Sequence, residues 1–255
     1  MENRHRLGIL VPCYGSKKCR CVCETKARWA ASSERIPPRF ERPSSVANVA
    51  VIYYSSTGNT YDLAKALVAG AEAAGATVRL RKVRELAPDE AIATNAGWVA
   101  HRHETQAVAE ATLEDLEWAD AYAFGTPTRF GTISAQLKQF LDSTGGLWFQ
   151  GKLTNKTGTG FSGASSTHGG HEGTIADIYK VLAHWGAIVV PLGYTNPIVF
   201  DPANGNPYGA SAVDPRGGEI PAPVLAAAKW QGERLVRVAD AIVAHAAALT
   251  APPAA

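Results

Sequence analysis

The residues best suited to ligand chemistry form a short polar segment, residues 55–60, directly after a buried strand at Val49–Tyr54. The segment combines four hydroxyl groups, one amide and one glycine: Ser55, Ser56, Thr57, Gly58, Asn59 and Thr60. Apolar residues at helical spacing in Tyr61–Ala74 predict that a helix follows. The first N–H groups of a helix lack intrahelical partners and attract anions. Residues 55–60 are therefore predicted to bind an anion, most simply a phosphate.

The composition of this segment excludes two common kinds of phosphate loop. A Walker loop needs G-x-x-x-x-G-K-[ST], in which a lysine reaches the outer phosphates, and a Rossmann loop needs G-x-G-x-x-G. The segment contains neither string and has no Lys or Arg. A phosphate held only by neutral hydroxyls and amides suits a monoester on a ligand that is bound mainly through its other parts.

Two later parts of the chain repeat the order of strand, polar turn and helix. The first repeat has these elements at Asp120–Gly125, Thr126–Thr132 and Ile133–Asp142. The second repeat has them at Asn155–Phe161, Ser162–Thr174 and Ile175–His184. Polar turns thus follow three buried strands.

The remaining segments supply two more strands, two long irregular stretches and two helices. Strands are predicted at Thr77–Val83, which alternates apolar and basic residues as a sheet edge does, and at Ala187–Leu192. Helices are predicted at Leu113–Trp118 and Pro223–Leu249. The irregular stretches are Arg84–Ala111 and Gly193–Pro221, and their length indicates a role in function or assembly.

Strands that alternate with helices predict an α/β fold, a doubly wound parallel sheet of five strands with helices on both faces. Ligands bind such sheets beyond the carboxyl ends of the strands, where the topology switches. The three polar turns are therefore expected to meet at one edge. Flavin mononucleotide (FMN) fits this arrangement, because its terminal phosphate and its large ring can contact separate turns.

Several strings resemble a known family. Y-Y-S-S-T-G-N-T, from Tyr53, is similar to the phosphate loop of flavodoxin-like proteins. F-G-T-P-T-R-F-G-T and L-D-S-T-G-G-L-W resemble WrbA-type NAD(P)H:quinone oxidoreductases, the tryptophan-repressor-binding-protein family. The resemblance continues through H-G-G-H-E-G-T, V-L-A-H-W-G and N-P-Y-G-A-S, and so covers Val46–Ala247 in order.

This resemblance implies a flavodoxin-like fold, an FMN cofactor and specific site residues. It implies that residues 55–60 hold the flavin phosphate and that Thr57 also lies near NADH or NADPH. The ring would be lined by Thr128, Arg129 and Phe130. Its polar edge would contact the third turn, namely Ala164, Ser165, Ser166, Thr167, His168 and Gly169. Trp148 would border the substrate pocket, and His184 would approach it from a neighbouring subunit of a homotetramer.

Without the family resemblance, the sequence alone suggests simpler structural roles for some of these residues. Trp148 suits a packing residue, and His184 suits a cap at a helix C-terminus. Arg129 is harder to explain in this way, because it needs an anionic partner in a region poor in basic residues. His168 and His171 are expected to be polar loop residues, as are His101 and His103, since no set of metal ligands accompanies them.

The predicted activity is a two-electron reduction of quinones by NAD(P)H, with FMN carrying the electrons in a ping-pong mechanism. The alternative is a flavodoxin-type electron carrier, or an FMN-binding protein that interacts with a partner without turnover. Carriers of that kind are compact and strongly acidic. Residues 46–255 carry 15 basic and 19 acidic residues and contain two long irregular stretches. Both features favour an oligomeric enzyme, and the weak charge gives no reason to expect nucleic-acid binding.

The chain of 255 residues, 46% of them hydrophobic, can build one sizeable core, which we expect within residues 46–250. Residues 1–45 carry ten basic and four acidic residues, and we expect them to be disordered or an artefactual upstream extension. They contain all four cysteines, Cys13, Cys19, Cys21 and Cys23, whose spacing matches no common zinc site. No apolar run reaches the ~18–20 residues of a membrane span, so a cytoplasmic location without membrane insertion is expected.

Overall fold

The computed structural model describes residues 46–213, 218–246 and 249 of the chain. The expectations for residues 1–45, including the four cysteines, lie outside this part. The boundary of the core domain at residue 46 stays a prediction.

The described chain forms a six-stranded sheet in which every pairing is parallel. The strands are β1 Asn48–Tyr53, β2 Thr77–Lys82, β3 Ala121–Pro127, β4 Thr157–Ala164, β5 Ile188–Val189 and β6 Ser211–Val213. Their order is β2-β1-β3-β4-β5, with β6 also pairing with β4. The α/β prediction is confirmed. All five predicted strands are present, and β6 comes from a stretch predicted to be irregular.

Eight α-helices connect or close these strands in the described residues. They are α1 Asn59–Ala73, α2 Asp89–Ala93, α3 Ala96–Glu104, α4 Leu113–Trp118, α5 Ala135–Asp142, α6 Gly145–Phe149, α7 His171–His184 and α8 Ala222–Ala244. A short 3₁₀ helix covers Pro197–Phe200.

The first strand shows why helices cover both faces of the sheet. In β1 and the residue after it, Val49, Val51 and Tyr53 pack against α1 and α8, whereas Ala50, Ile52 and Tyr54 pack against α4, α5 and α7. Side chains of a strand point alternately to the two faces, so a strand that is apolar at every position needs cover on both. The order β2-β1-β3 reverses the direction of winding at β1, and this reversal places the predicted ligand edge beside the carboxyl end of β1.

Two glycine positions allow close packing around the sheet. A Cβ on Gly70 of α1 would lie 1.9 Å from the carbonyl oxygen of Lys229, so α1 and α8 cross in backbone contact. In β4, a Cβ on Gly158 would lie 2.7 Å from Leu182 Cδ1. Residues 158–163 do read G-x-G-x-x-G, but they lie inside a strand, where the first glycine makes room for α7 rather than for a phosphate.

The structure corrects several predicted boundaries. The stretch Arg84–Ala111 contains helices α2 and α3, which are too short to show a clear period. Helix α7 begins at His171, inside the predicted third turn. Strand β5 is limited to two residues. Val190 still donates its N–H to Gly158 of β4 (2.8 Å), but the N–H of Leu192 donates to the carbonyl of Tyr208 (3.4 Å) and not to β4. Helix α8 ends at Ala244.

Candidate functional site

The first turn, residues 55–58, joins β1 to α1 in a conformation suited to binding an anion. Gly58 adopts φ +111°, donates its N–H to Ser55 Oγ (3.0 Å) and accepts the N–H of Asp62 (2.9 Å). Within the described chain no side chain caps α1 by a hydrogen bond. Hydroxyls and the helix N-terminus therefore face the same edge of the sheet.

The second turn follows β3 and is tightly closed. Arg129 and Thr132 exchange backbone hydrogen bonds of 2.9 and 3.2 Å around Phe130 (φ +53°) and Gly131 (φ +82°). A left-handed conformation at a bulky residue is strained, and such strain is commonest at functional sites. The Phe130 side chain is fully exposed.

Arg129 links the second turn to the first. Its Nη2 donates to Ser56 Oγ (3.2 Å), and its Nη1 donates to the carbonyl of Thr128 (3.2 Å). The guanidinium is exposed and therefore open to an anionic ligand.

The third turn, between β4 and α7, packs against the second. Thr174 Oγ1 donates to Thr128 Oγ1 (2.9 Å), and a Cβ on Gly170 would lie 2.7 Å from the Cα of Gly131. The side chains of residues 165–168 are exposed. The three polar turns thus lie side by side, as predicted from the chain order.

A cavity of about 610 Å³ opens between these turns. This volume falls within the ~300–1,000 Å³ of small-molecule sites. Its lining residues are Ser55, Ser56, Thr57, Asn59, Thr60, Asn95, Gly97, Pro127, Thr128, Arg129, Gly163, Ala164 and Ser165. The donor set consists of hydroxyls, amides and one guanidinium, which fits a phosphate monoester with an attached ring. A nucleoside triphosphate would need more positive charge.

The structure brings nine predicted site residues together in this cavity. They are Ser55, Ser56, Thr57, Asn59, Thr60, Thr128, Arg129, Ala164 and Ser165. Gly58 shapes the first turn, and the other predicted residues of the second and third turns lie outside the lining: Phe130, Ser166, Thr167, His168 and Gly169. Contact between each of these residues and a flavin stays a prediction.

Sequence reasoning missed one wall of the cavity. Asn95 and Gly97, at the start of α3, face the first turn, and a Cβ on Gly97 would lie 3.8 Å from Thr57 Cγ2. The available signal was Asn95 itself, since asparagine is a preferred N-cap and its side chain accepts the N–H of Trp98 (3.1 Å).

Trp148 and His184 lie together in a different cavity of about 340 Å³. Trp148 Nε1 donates to the backbone carbonyl of His184 (2.9 Å), the last residue of α7. Leu141, Val181 and Trp185 supply apolar walls. Within one chain, these two residues line a cavity separate from the one between the polar turns, and their predicted roles there stay predictions.

Two buried histidines lie close to the turns. Burial lowers the pKa of His101, against the opposing effect of a hydrogen bond with Glu104. Burial likewise lowers the pKa of His171, whose Nδ1 has no hydrogen-bond partner among the described residues. In residues 46–213, 218–246 and 249, no group of three or more His, Cys, Asp or Glu is placed to hold a metal ion.

Comparison with known proteins identifies the family. The family model of NADPH-dependent FMN reductases matches residues 47–196. A Deinococcus radiodurans protein named NAD(P)H dehydrogenase (quinone) is 46% identical over 163 residues, which cover 64% of this chain and 81% of that relative. An Azorhizobium caulinodans protein of the same name is 41% identical over 199 residues, covering 76% of this chain and 98% of the relative.

The same resemblance holds among solved structures. The structure titled as the flavodoxin, WrbA-like protein from Agrobacterium tumefaciens superimposes with a TM-score of 0.53 at 28% identity, covering 76% of this chain and 97% of that one. The predictions of a flavodoxin-like fold and of the family are both confirmed. The chain belongs to the NADPH-dependent FMN reductase family and shares its flavodoxin-like fold with WrbA-type proteins.

Proposed function

We propose that this chain is an FMN-dependent NAD(P)H:quinone oxidoreductase. The observation that carries the proposal is the cavity in which three polar turns meet beside the topological switch of the sheet. Its hydroxyls, amides and single Arg129 fit FMN. Two relatives, aligned over 81% and 98% of their own length, are named NAD(P)H dehydrogenase (quinone).

In this proposal the turns divide the binding of FMN between them. Residues 55–60 hold the phosphate with hydroxyls and with the N-terminus of α1. Arg129, with Thr128 and the third turn, holds the ring and supplies positive charge beside it. When bound, FMN would supply the two-electron chemistry that connects NAD(P)H to a quinone. The protein positions the reactants and shields them from water.

A ping-pong mechanism follows if donor and acceptor use the same open side of the cavity in turn. Initial rates would then give parallel lines in double-reciprocal plots at several quinone concentrations. Intersecting lines would show that NAD(P)H and quinone bind together, and would contradict this part of the proposal.

The oligomer is proposed to be a homotetramer in which neighbouring subunits complete each pocket. Trp148 and His184 support this, because they lie together outside the chain's own cofactor cavity with Trp148 about half exposed. Large exposed side chains such as Phe149 (85%) and Phe200 (67%) provide apolar surface for such contacts. Full activity in a monomer at sedimentation equilibrium would contradict the shared pocket.

The proposed site of action is the cytoplasm. Within the described part of the chain, no helix has the length and apolarity needed to cross a membrane.

The deciding assay measures benzoquinone reduction by NADH or NADPH with the purified protein loaded with FMN. Turnover that depends on FMN is expected. Stoichiometric FMN without turnover would instead support the electron-carrier or partner-binding function, and failure to bind FMN would exclude both.

A further inference from the structure

We propose that Glu85 is a positioning residue of the cofactor site, whose carboxylate fixes helix α3 against the phosphate-binding turn. This inference rests on the proposed function. Glu85 lies just beyond β2, is half-buried, and lies outside the lining of the cofactor cavity.

The Glu85 carboxylate accepts hydrogen bonds from five donors. Two are the backbone N–H groups of Leu86 (2.8 Å) and Ala87 (2.9 Å). The other three come from elsewhere in the fold: Tyr54 Oη (3.0 Å), Trp98 Nε1 (3.1 Å) and Gln136 Nε2 (2.9 Å). Burial alone would raise the pKa of Glu85, but these bonds outweigh it and hold the pKa below its ordinary value. Glu85 is therefore charged at neutral pH.

The three distant donors belong to the segments that surround the cofactor cavity. Tyr54 is buried and directly precedes Ser55, the first residue of the phosphate turn. Trp98 is in the first turn of α3, where the N-cap residue Asn95 and Gly97 line the cavity. Gln136 is in α5, which follows the second polar turn. One carboxylate thus connects α3 to the residue before the first polar turn and to the helix after the second.

Helix α3 touches the phosphate turn at two points on either side of Trp98. Gly97 approaches Thr57, and His101 Nδ1 lies 3.7 Å from the position of a Cβ on Gly58. The hydrogen bond from Trp98 to Glu85 lies between these contacts along the helix. Loss of the hydrogen bond between Trp98 and Glu85 would leave the nine-residue helix α3 with fewer contacts that hold it beside the phosphate turn.

A glutamine at position 85 cannot replace the carboxylate. The carboxylate oxygens only accept, and all five surrounding groups donate. Oε1 accepts from Leu86, Ala87 and Gln136, so the NH₂ group of an amide would take the place of Oε2, which faces Tyr54 Oη and Trp98 Nε1. The Tyr54 hydroxyl can accept from that NH₂ group, but the indole N–H of Trp98 cannot and loses its partner. We expect α3 and the phosphate turn to lose order in the apoprotein, and FMN binding then has to restore that order.

The experiment compares Glu85→Gln with Glu117→Gln. Glu117 is an exposed residue of α4 that pairs with Lys152 (2.8 Å), so its replacement removes the same charge away from the site. FMN affinity of each apoprotein is measured by quenching of flavin fluorescence. Amide hydrogen exchange of the apoproteins is measured over residues 46–213.

For Glu85→Gln we expect about tenfold weaker FMN binding, and faster exchange confined to residues 54–60 and 95–104. Glu117→Gln should bind as the wild type does. Trp98→Phe, which removes one donor only, should bind about threefold more weakly and accelerate exchange in the same two segments.

An affinity within twofold of wild type for Glu85→Gln, or exchange accelerated throughout the sheet, would overturn the positioning role. If Glu85→Gln fails to fold, Trp98→Phe decides the question. Unchanged hydrogen exchange in residues 95–104 of Trp98→Phe would also refute the proposal. If the wild type binds no FMN, the proposed function fails, whereas the exchange pattern still tests whether Glu85 fixes α3.

Discussion

Replacement of Arg129 by glutamine should lower the reduction potential of the bound flavin. Arg129 is the cation of the cofactor cavity, it is exposed, and it is held by Ser56 and Thr128 at 3.2 Å. At ~4 Å, two unit charges attract by about 1 kcal/mol in water and about 4 kcal/mol at an effective dielectric constant of 20. Exposure favours the lower part of this range, so we take about 1–2 kcal/mol for the reduced, more negative flavin.

For a two-electron couple, about 1.4 kcal/mol corresponds to about 30 mV, so the potential should fall by roughly 20–45 mV. Spectroelectrochemical titration of the FMN-loaded protein measures this directly. Arg129→Lys should keep most of the potential because it keeps the charge. Lys229→Gln removes an exposed charge from α8 and serves as the control. Equal potentials for Arg129→Gln and wild type at low ionic strength would refute the role of Arg129.

Three further predictions concern stability. Gly70→Ala would place a Cβ 1.9 Å from the carbonyl oxygen of Lys229, so α1 and α8 must move apart. The free energy of unfolding in urea should fall by about 1–3 kcal/mol. An unchanged midpoint would contradict the close crossing of the two helices. Asp115→Asn removes a carboxylate with only 3% exposure that pairs with Arg81 (3.1 Å), at a cost of about 3 kcal/mol near pH 7. Burial raises the pKa of Asp115, but hydrogen bonds and Arg81 outweigh it and hold the pKa below its ordinary value. The stability that the carboxylate provides is therefore present above about pH 4 and is lost as pH falls through the folded pKa. A difference in unfolding free energy between wild type and Asp115→Asn that persists at lower pH would contradict this. Gln231→Leu breaks three buried hydrogen bonds and should cost about 3 kcal/mol in thermal unfolding, whereas a loss below about 0.5 kcal/mol would mean that these bonds contribute little.

The strands and polar turns could be predicted because their signals are local. From Val49 to the end of β1, apolar residues at every position required helices on both faces, and the abrupt change to hydroxyl residues at Ser55 marked the carboxyl end. Repetition of this pattern at β3 and β4 then fixed which edge of a parallel sheet carries the site. The cavity between the three turns follows from that topology.

Helix α3 could not be predicted in the same way, because its position depends on contacts between distant residues. It is short, and its sequence has a weak apolar period. Trp98 and Glu85 are 13 residues apart, and Gln136 is 51 residues from Glu85. No local pattern shows that one carboxylate joins them.

The sheet beyond β4 differs from the prediction for a similar reason. Beyond Val190 the chain leaves β4, because the N–H of Leu192 donates to Tyr208, and residues 162–164 at the carboxyl end of β4 pair with β6 instead. Residues 211–213 carry too few apolar positions for a strand to be recognised without knowing that the edge of β4 is open to them.

An FMN-dependent NAD(P)H:quinone oxidoreductase must pass two electrons from the nicotinamide to the flavin and then from the flavin to the quinone. The most direct measurement is the visible absorbance of the FMN-loaded protein, free of oxygen, on addition of NADH or NADPH and then of benzoquinone. We expect the flavin absorbance to be lost with one equivalent of reduced nicotinamide and to return with one equivalent of benzoquinone. An absorbance that stays unchanged with both nicotinamides, in a protein that holds FMN stoichiometrically, would contradict it.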